Sequence, residues 1–323
     1  MASEFDIIRR YFSRPVTDAV LGIGDDAALI TVPAGTELAV STDTLVSGKH
    51  FFADVDPYRL GYKSLAVNLS DMAAMGAKPR WALLALTLPE ALASQNKTWL
   101  TEFSAGFFAL ADQYHVELIG GDTTAGPLNI GIQIIGEVAA GKALRRSGAQ
   151  LGDDIWVSGK LGDAALALRH ELQQITLASD EIAQCLPSLL TPQARVELGQ
   201  RLTGLAHSAI DISDGLMADL GHILAASEKA ANIHIANIPC SAVLKKYGWR
   251  TIAVDCLLAG GDDYELCFTA AQANRRDIEN LAAELAIPLT RIGEISAGKG
   301  LTVIDEQGNA MTLDIKGYDH FPA

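Results

Sequence analysis

Six short runs place aspartate beside glycine, serine or threonine. They are Gly24-Asp25-Asp26, Ser41-Thr42-Asp43-Thr44, Asn68-Leu69-Ser70-Asp71, Gly120-Gly121-Asp122-Thr123-Thr124, Asp211-Ile212-Ser213-Asp214-Gly215 and Gly260-Gly261-Asp262-Asp263. Each follows an apolar or strand-like stretch. Singly, each has a structural explanation, because Asp, Ser and Thr cap helices and Gly-Asp makes turns. Asp56 and Asp214 stand where caps are expected. The recurrence of carboxylates with neighbouring hydroxyls is what points to chemistry, since this is the hard-oxygen donor set that magnesium prefers. Carboxylates repel bare phosphate and make sense beside it only with metal ions between. ATP and a phosphomonoester also repel each other at close range. Divalent ions that bridge phosphate oxygens position both reactants and offset the charge that builds during transfer. The pattern therefore reads as metal-bridged phosphate chemistry.

Two familiar nucleotide motifs fail on chemical grounds. Gly22-Ile23-Gly24-Asp25-Asp26-Ala27 has the spacing of a dinucleotide fingerprint. That motif needs bare backbone N–H groups at a helix N-terminus, whereas here two carboxylates would face the phosphates and Pro33 closes the segment. Gly293 to Gly300 nearly makes a Walker A loop, but its last position lacks the Ser or Thr hydroxyl that holds magnesium. A turn between strands accounts for those glycines.

The elements that must position the aspartates follow from periodicity. Helices are expected over Glu4–Phe12, from Pro57 to about Ala74 with Asp56 as N-cap, and over Thr98–Tyr114. Strands are expected over Glu37–Asp43, ending at the Ser41–Thr44 run, over Trp81–Leu88, and at Val116–Gly121 and Leu128–Val138 on either side of a turn at Asp122–Thr124. Beyond a crossover loop at Arg145–Asp153 come strand Ile155–Ser158, helix Asp163–His170, strand Ala209–Ile212 and helix Gly215–Ala226. Strands Asn232–Ile235 and Leu266–Thr269 and helix Asn274–Leu285 follow, while Glu171–Thr191 reads as less regular. Strands and helices alternate in both halves, which predicts α/β or α+β layers. At 323 residues, two domains are expected, 1–145 and 146–323.

Composition removes several function classes. Neither half has the basic excess of a nucleic-acid footprint: residues 1–150 hold 12 basic and 16 acidic residues, and 151–323 hold 13 and 23. Every apolar stretch is broken well before the ~20 residues a membrane span needs. The opening MASEFDIIRRYF lacks the apolar region of a secretory signal, so a cytoplasmic protein is expected. Cys185, Cys240, Cys256 and Cys267 contain no C-x-x-C pair and read as free thiols.

Taken in order, GIGDDAAL, STDTLVSGKHF, AVNLSDMAAMGA, IGGDTTAGP, RRSGAQLGD, AIDISDGL, AGGDDYELCF and KGYDHF resemble the thiamine-monophosphate kinase family. That family lies in the larger group related to aminoimidazole ribonucleotide synthetase and selenophosphate synthetase. The match runs along nearly the whole chain; GGD or SDG alone would carry nothing. The resemblance implies transfer of phosphate from ATP to thiamine monophosphate. It implies an N-terminal mixed sheet that forms a barrel-like homodimer interface, with a C-terminal α/β domain closing the cleft.

Carried over by position, Asp26, Ser41, Thr42, Asp43, Asp71, Asp122, Asp211 and Asp214 resemble ligands of several magnesium ions, with Asp43 and Asp71 bridging. Gly121, Asp122, Arg146 and Ser213 resemble ATP contacts, Arg146 being the charge partner for phosphate oxygens. His50, Asp262 and Tyr318 resemble the positions that hold thiamine monophosphate. One departure stands out: the family commonly has Glu where Asp262 stands, one methylene longer. By themselves, His50, Tyr318 and the Arg145–Arg146 pair read equally as packing or solvated loop residues. A role for potassium stays open, as do two rivals. One is a sibling ATP-dependent synthetase acting on a phosphoribosyl amide or selenide, although no cysteine precedes Cys185 to serve as its N-terminal reactive thiol. The other is a non-catalytic, divalent-binding dimer.

Overall fold

The computed structural model describes residues 3–94 and 97–312. The chain divides into two compact units, Met1–Met72 with Ala77–Gly141, and Ala73–Gly76 with Lys142–Ala323.

The first unit opens with α1 (Glu4–Ile7), which runs on into one π-helical turn at Ile8–Phe12. Ser3 and Asp6 start α1 as a reciprocal capping box. There follow β1 (Thr36–Val46), α2 (Pro57–Ala74), β2 (Lys78–Leu88), α3 (Glu90–Ser94), α4 (Lys97–Tyr114), β3 (Glu117–Ala125) and β4 (Asn129–Ala139). Asp56 caps α2 as its position suggests, its Oδ1 accepting from Arg59 N at 2.9 Å. The sheet order is β1-β4-β2-β3, with β2 and β3 parallel and the other pairs antiparallel. β1 and β3 are therefore its two edges.

Alternation sorts the strands into two faces. Leu84, Leu86 and Leu88 of β2 and Ile130, Ile132 and Ile134 of β4 are buried, as are Leu65, Leu69 and Met72 of α2. α2 and α4 cross closely because Gly61 and Gly106 stand at the contact. A Cβ at Gly61 would lie 2.0 Å from Phe103 O, and one at Gly106 would lie 1.9 Å from Tyr58 O. Part of the opposite face is covered by residues 13–30, with Ala19 packed against Trp81 and Ile119. This segment is tied down by Glu117, whose carboxylate accepts from the N–H groups of Thr17, Asp18 and Ala19 at 2.5, 2.8 and 2.9 Å. Near β1 the same face leaves Leu38 and Val40 exposed.

The second unit contains β5 (Asp154–Ser158), α5 (Asp163–Glu171), α6 (Ser179–Leu190), α7 (Val196–Leu202), β6 (Ala206–Asp211), α8 (Leu216–Ser227), β7 (Ala230–His234), α9 (Ala242–Lys245), α10 (Thr251–Ala259), β8 (Leu266–Ala270), α11 (Arg275–Leu285), β9 (Leu289–Ser296) and β10 (Gly300–Ile304). Its sheet order is β10-β7-β9-β5-β8-β6, and only β10 and β7 pair in parallel. β5 and β8 are buried along their whole length. At the head of β5, the buried Asp154 accepts from Arg275 at 2.5 and 2.7 Å.

Two expectations are corrected. Ser41–Thr44 and Asp122–Thr124 are not turns but parts of longer strands, because β1 pairs with β4 as far as Val46 and β3 pairs with β2 as far as Ala125. Ladder bonds to a neighbour outweigh the local turn preference of Asp and Thr. The stretch expected to be irregular contains α6, which carries Pro187 in its last turns. The C-terminal run with Tyr318 lies outside the described residues.

Candidate active site

On β1, Ser41 and Asp43 share the parity of the buried Ala39 and Leu45 and so face α2. Ser41 Oγ donates to Asp71 Oδ2 at 2.5 Å. Asp43 N donates to Asn68 Oδ1 at 3.2 Å, and Asn68 Nδ2 donates to Ser64 O at 3.0 Å. Asn68 and Asp71, three residues apart, lie on one face of α2, so helix and strand bring these groups together. Thr42 points to the other face, where its hydroxyl donates to Ile132 O at 3.0 Å. His50, in the loop after β1, accepts from Val46 N through Nδ1 at 2.9 Å. In the neutral ring this puts the proton on Nε2, a donor at the far edge of the imidazole.

A second group lies on the opposite face and the opposite edge. Asp25, Asp26, Gly121 and Asp122 line a groove of about 1060 Å³ floored by Leu83, Ile119 and Ile135. Asp26 N donates to Asp25 Oδ1 at 2.9 Å. Register gives the separation of the two groups: Asp122 stands opposite Ala85, Ala85 opposite Gly131, and Gly131 opposite Thr44. Three strand spacings are about 14 Å, too far for Asp122 and Asp43 of one chain to share an ion.

The third group belongs to the second unit. Asp211 ends β6, and Ser213, Asp214 and Gly215 lead into α8. Asp214 makes no cap. The turn is instead organised from inside the helix by Asp219, whose Oδ2 accepts from Ser213, Asp214 and Gly215 N–H at 3.0, 3.0 and 3.1 Å. Burial pushes the Asp219 carboxyl up to about 6, and the Asp214 charge adds to the push; the three N–H bonds oppose it.

Alongside this turn runs the loop from Gly260 to Glu265. Asp262 N donates to Ser213 O at 2.9 Å and Tyr264 N to Ile212 O at 2.8 Å. Only glycine fits at Gly261, where a Cβ would lie 2.5 Å from Ser213 O. Asp263 is buried with both oxygens 3.0 Å from Gly162 N, and burial holds its carboxyl well above the usual range. Arg146 is exposed, and its carbonyl accepts from Ser227 Oγ at 3.3 Å. The adjoining Arg145 carbonyl accepts from Ala209 N of β6 at 2.9 Å.

Among the described residues, no group of three or more His, Cys, Asp or Glu side chains converges as a ready-made metal cage. Magnesium does not require one. It keeps several waters and binds through one or two carboxylates plus substrate phosphates. Adjacent ligands of an octahedral ion at about 2.1 Å stand about 3.0 Å apart, so Ser41 and Asp71, hydrogen-bonded at 2.5 Å, would exchange that bond for the ion and separate by about half an ångström.

Asn68, Glu117, Asp219, Asp263 and Tyr264 were not picked out from the sequence as members of the site. Asp219 carried a faint signal, an acid in the first turn of an expected helix. The others depend on partners brought close only by the fold.

Comparison with known proteins places both units in one family. Residues 24–138 match the model of the AIR synthase related protein N-terminal domain, and residues 150–306 match that of its C-terminal domain. The thiamine-monophosphate kinase of Escherichia coli K12 is 48% identical over 323 residues, covering 98% of each chain. The crystal structure of thiamine-monophosphate kinase from Stenotrophomonas maltophilia K279a superposes with a TM-score of 0.84 at 50% identity, covering 94% of this chain and 95% of that one. A structure described as AaThiL complexed with AMPPCP and TMP gives 0.78 at 30% identity, covering 90% and 89%. With this likeness spanning both units, the chain belongs to the thiamine-monophosphate kinase family, within the AIR synthase related proteins.

Proposed function

We propose that this chain is a magnesium-dependent kinase that passes the γ-phosphate of ATP directly to thiamine monophosphate, giving thiamine diphosphate and ADP. The observation that carries the reading is the pairing of Ser41 with Asp71 beside Asp43, in a chain alike over 98% of its length to a thiamine-monophosphate kinase. Asp43, Asp71 and Ser41 would hold magnesium on the α2 face, where it would neutralise and orient the phosphates, while Thr42, on the other face of the strand, would serve an ion there. The spacing between strand edges supports an ion for Asp26 with Asp122 separate from that of Asp43, and we assign Asp211 and Asp214 to a further one.

Gly121, Asp122, Ser213 and Arg146 bind ATP, the guanidinium pairing with phosphate oxygens. His50, Asp262 and Tyr318 bind the acceptor. A phosphomonoester has its second pKa near 6, so at neutral pH the attacking oxygen is already anionic and needs no general base. Catalysis is then positioning and charge stabilisation without a phosphoenzyme. We assign residues 1–145 to metal binding, nucleotide binding and dimerisation, and 146–323 to the remaining ligands. A homodimer joined through the first sheet is supported by the exposed Leu38 and Val40 on an edge strand. Four free cysteines suit the reducing cytoplasm.

The test is phosphorus NMR of ATP, magnesium and thiamine monophosphate with the protein. The reading expects acceptor-dependent loss of the γ-phosphate signal and growth of thiamine diphosphate. Asp43→Asn should lower turnover at saturating ATP by at least about a hundredfold while leaving the circular dichroism spectrum intact. Full activity in that variant would remove Asp43 from the mechanism. Replacing potassium by sodium in the same assay tests for a monovalent requirement.

A further inference from the structure

Asp262 and Tyr264 both adopt positive φ, +67° and +49°, conformations disfavoured for residues with side chains. Two such residues in one short loop persist only because their surroundings hold them. Each residue from Asp262 to Glu265 has its own anchor. Asp262 and Tyr264 bond through backbone N–H to Ser213 and Ile212. Asp263 takes the Gly162 N–H, and Glu265 takes Ser158 Oγ at 2.5 Å and Arg195 Nε at 2.7 Å. Within this rigid frame the Tyr264 ring is buried, 9% exposed, and its hydroxyl donates to Asp262 Oδ1 at 3.0 Å.

An aspartate has only two side-chain torsions, so one hydrogen bond from a fixed donor sets the plane of its carboxylate. We propose that Tyr264 is a positioning residue for thiamine monophosphate: it holds the Asp262 carboxylate turned toward the cationic part of the acceptor. This rests on the reading of Asp262 as an acceptor contact.

The experiment is a kinetic cycle on the full chain with four proteins: the parent, Tyr264→Phe, Asp262→Ala and the double variant. Tyr264→Phe should raise KM for thiamine monophosphate about tenfold, the loss typical of one hydrogen bond to a charged group, with KM for ATP unmoved. On the Asp262→Ala background the same change should add nothing, because its effect runs through the missing carboxylate. The proposal is overturned if Tyr264→Phe leaves KM unchanged while Asp262→Ala raises it, or if the loss is equal on both backgrounds, as for packing alone. If Asp262→Ala leaves KM for thiamine monophosphate unchanged, the acceptor reading of Asp262 falls, and this proposal with it.

Discussion

Glu117 shows how one side chain can set the course of a distant loop. Its carboxylate gathers three consecutive N–H groups and the Thr17 hydroxyl, fixing the segment that leads to Asp25 and Asp26. Burial pushes its carboxyl up, but these hydrogen bonds outweigh it and the group ionises below its ordinary range. A depressed carboxylate stabilises the fold above its unfolded value, and that stability is lost as pH falls through the folded value. Glu117→Gln should cost about 1–3 kcal/mol at pH 7. Urea unfolding should show the gap to the parent narrowing as pH drops below the usual carboxylate range. At this scale the sequence was legible where chemistry is local. Asp26, Asp43, Asp71 and Asp122 announced themselves by residue type and neighbours. Tyr264 did not, because the positive-φ path that brings its hydroxyl back to Asp262, two residues away, is not encoded in a linear pattern.

Between elements, α2 and α4 of the first unit cross in close contact at Gly61 and Gly106. Glycine inside a helix costs about 1 kcal/mol relative to alanine, and Gly61 and Gly106 offset this by letting backbones meet. Gly106→Ala would drive a methyl into Tyr58 O. It should destabilise by about 1–3 kcal/mol, seen as a lower urea midpoint with unchanged slope. Both helices were legible from their apolar spacing. β1 and β3 were read too short, since Ser-Thr-Asp-Thr and Asp-Thr-Thr look like turns until paired. α10 went unseen because Ile252–Ala259 is apolar on nearly every side, which hides the helical period.

For the whole molecule, the two-layered α and β character followed from alternation alone, while strand order did not, since pairing depends on contacts far apart in the chain. The proposed homodimer gives a direct test. Val40 is 55% exposed on an edge strand, and in a two-fold interface each change acts twice. Val40→Glu should shift the sedimenting species from dimer to monomer at micromolar concentration. An unchanged dimer would mean that the subunits meet through another surface.

The alternation of β1 carries one more consequence, for how this chain can change length. Ser41 and Asp43 need one face, while Leu38 and Val40 need the other. A single inserted residue between them reverses one set relative to the other, and only an even number restores both. An odd insertion or deletion in this strand must therefore be absorbed by a bulge, as the ladders of β2 with β3 and with β4 in the same sheet each do at one place, or fall in the flanking loops.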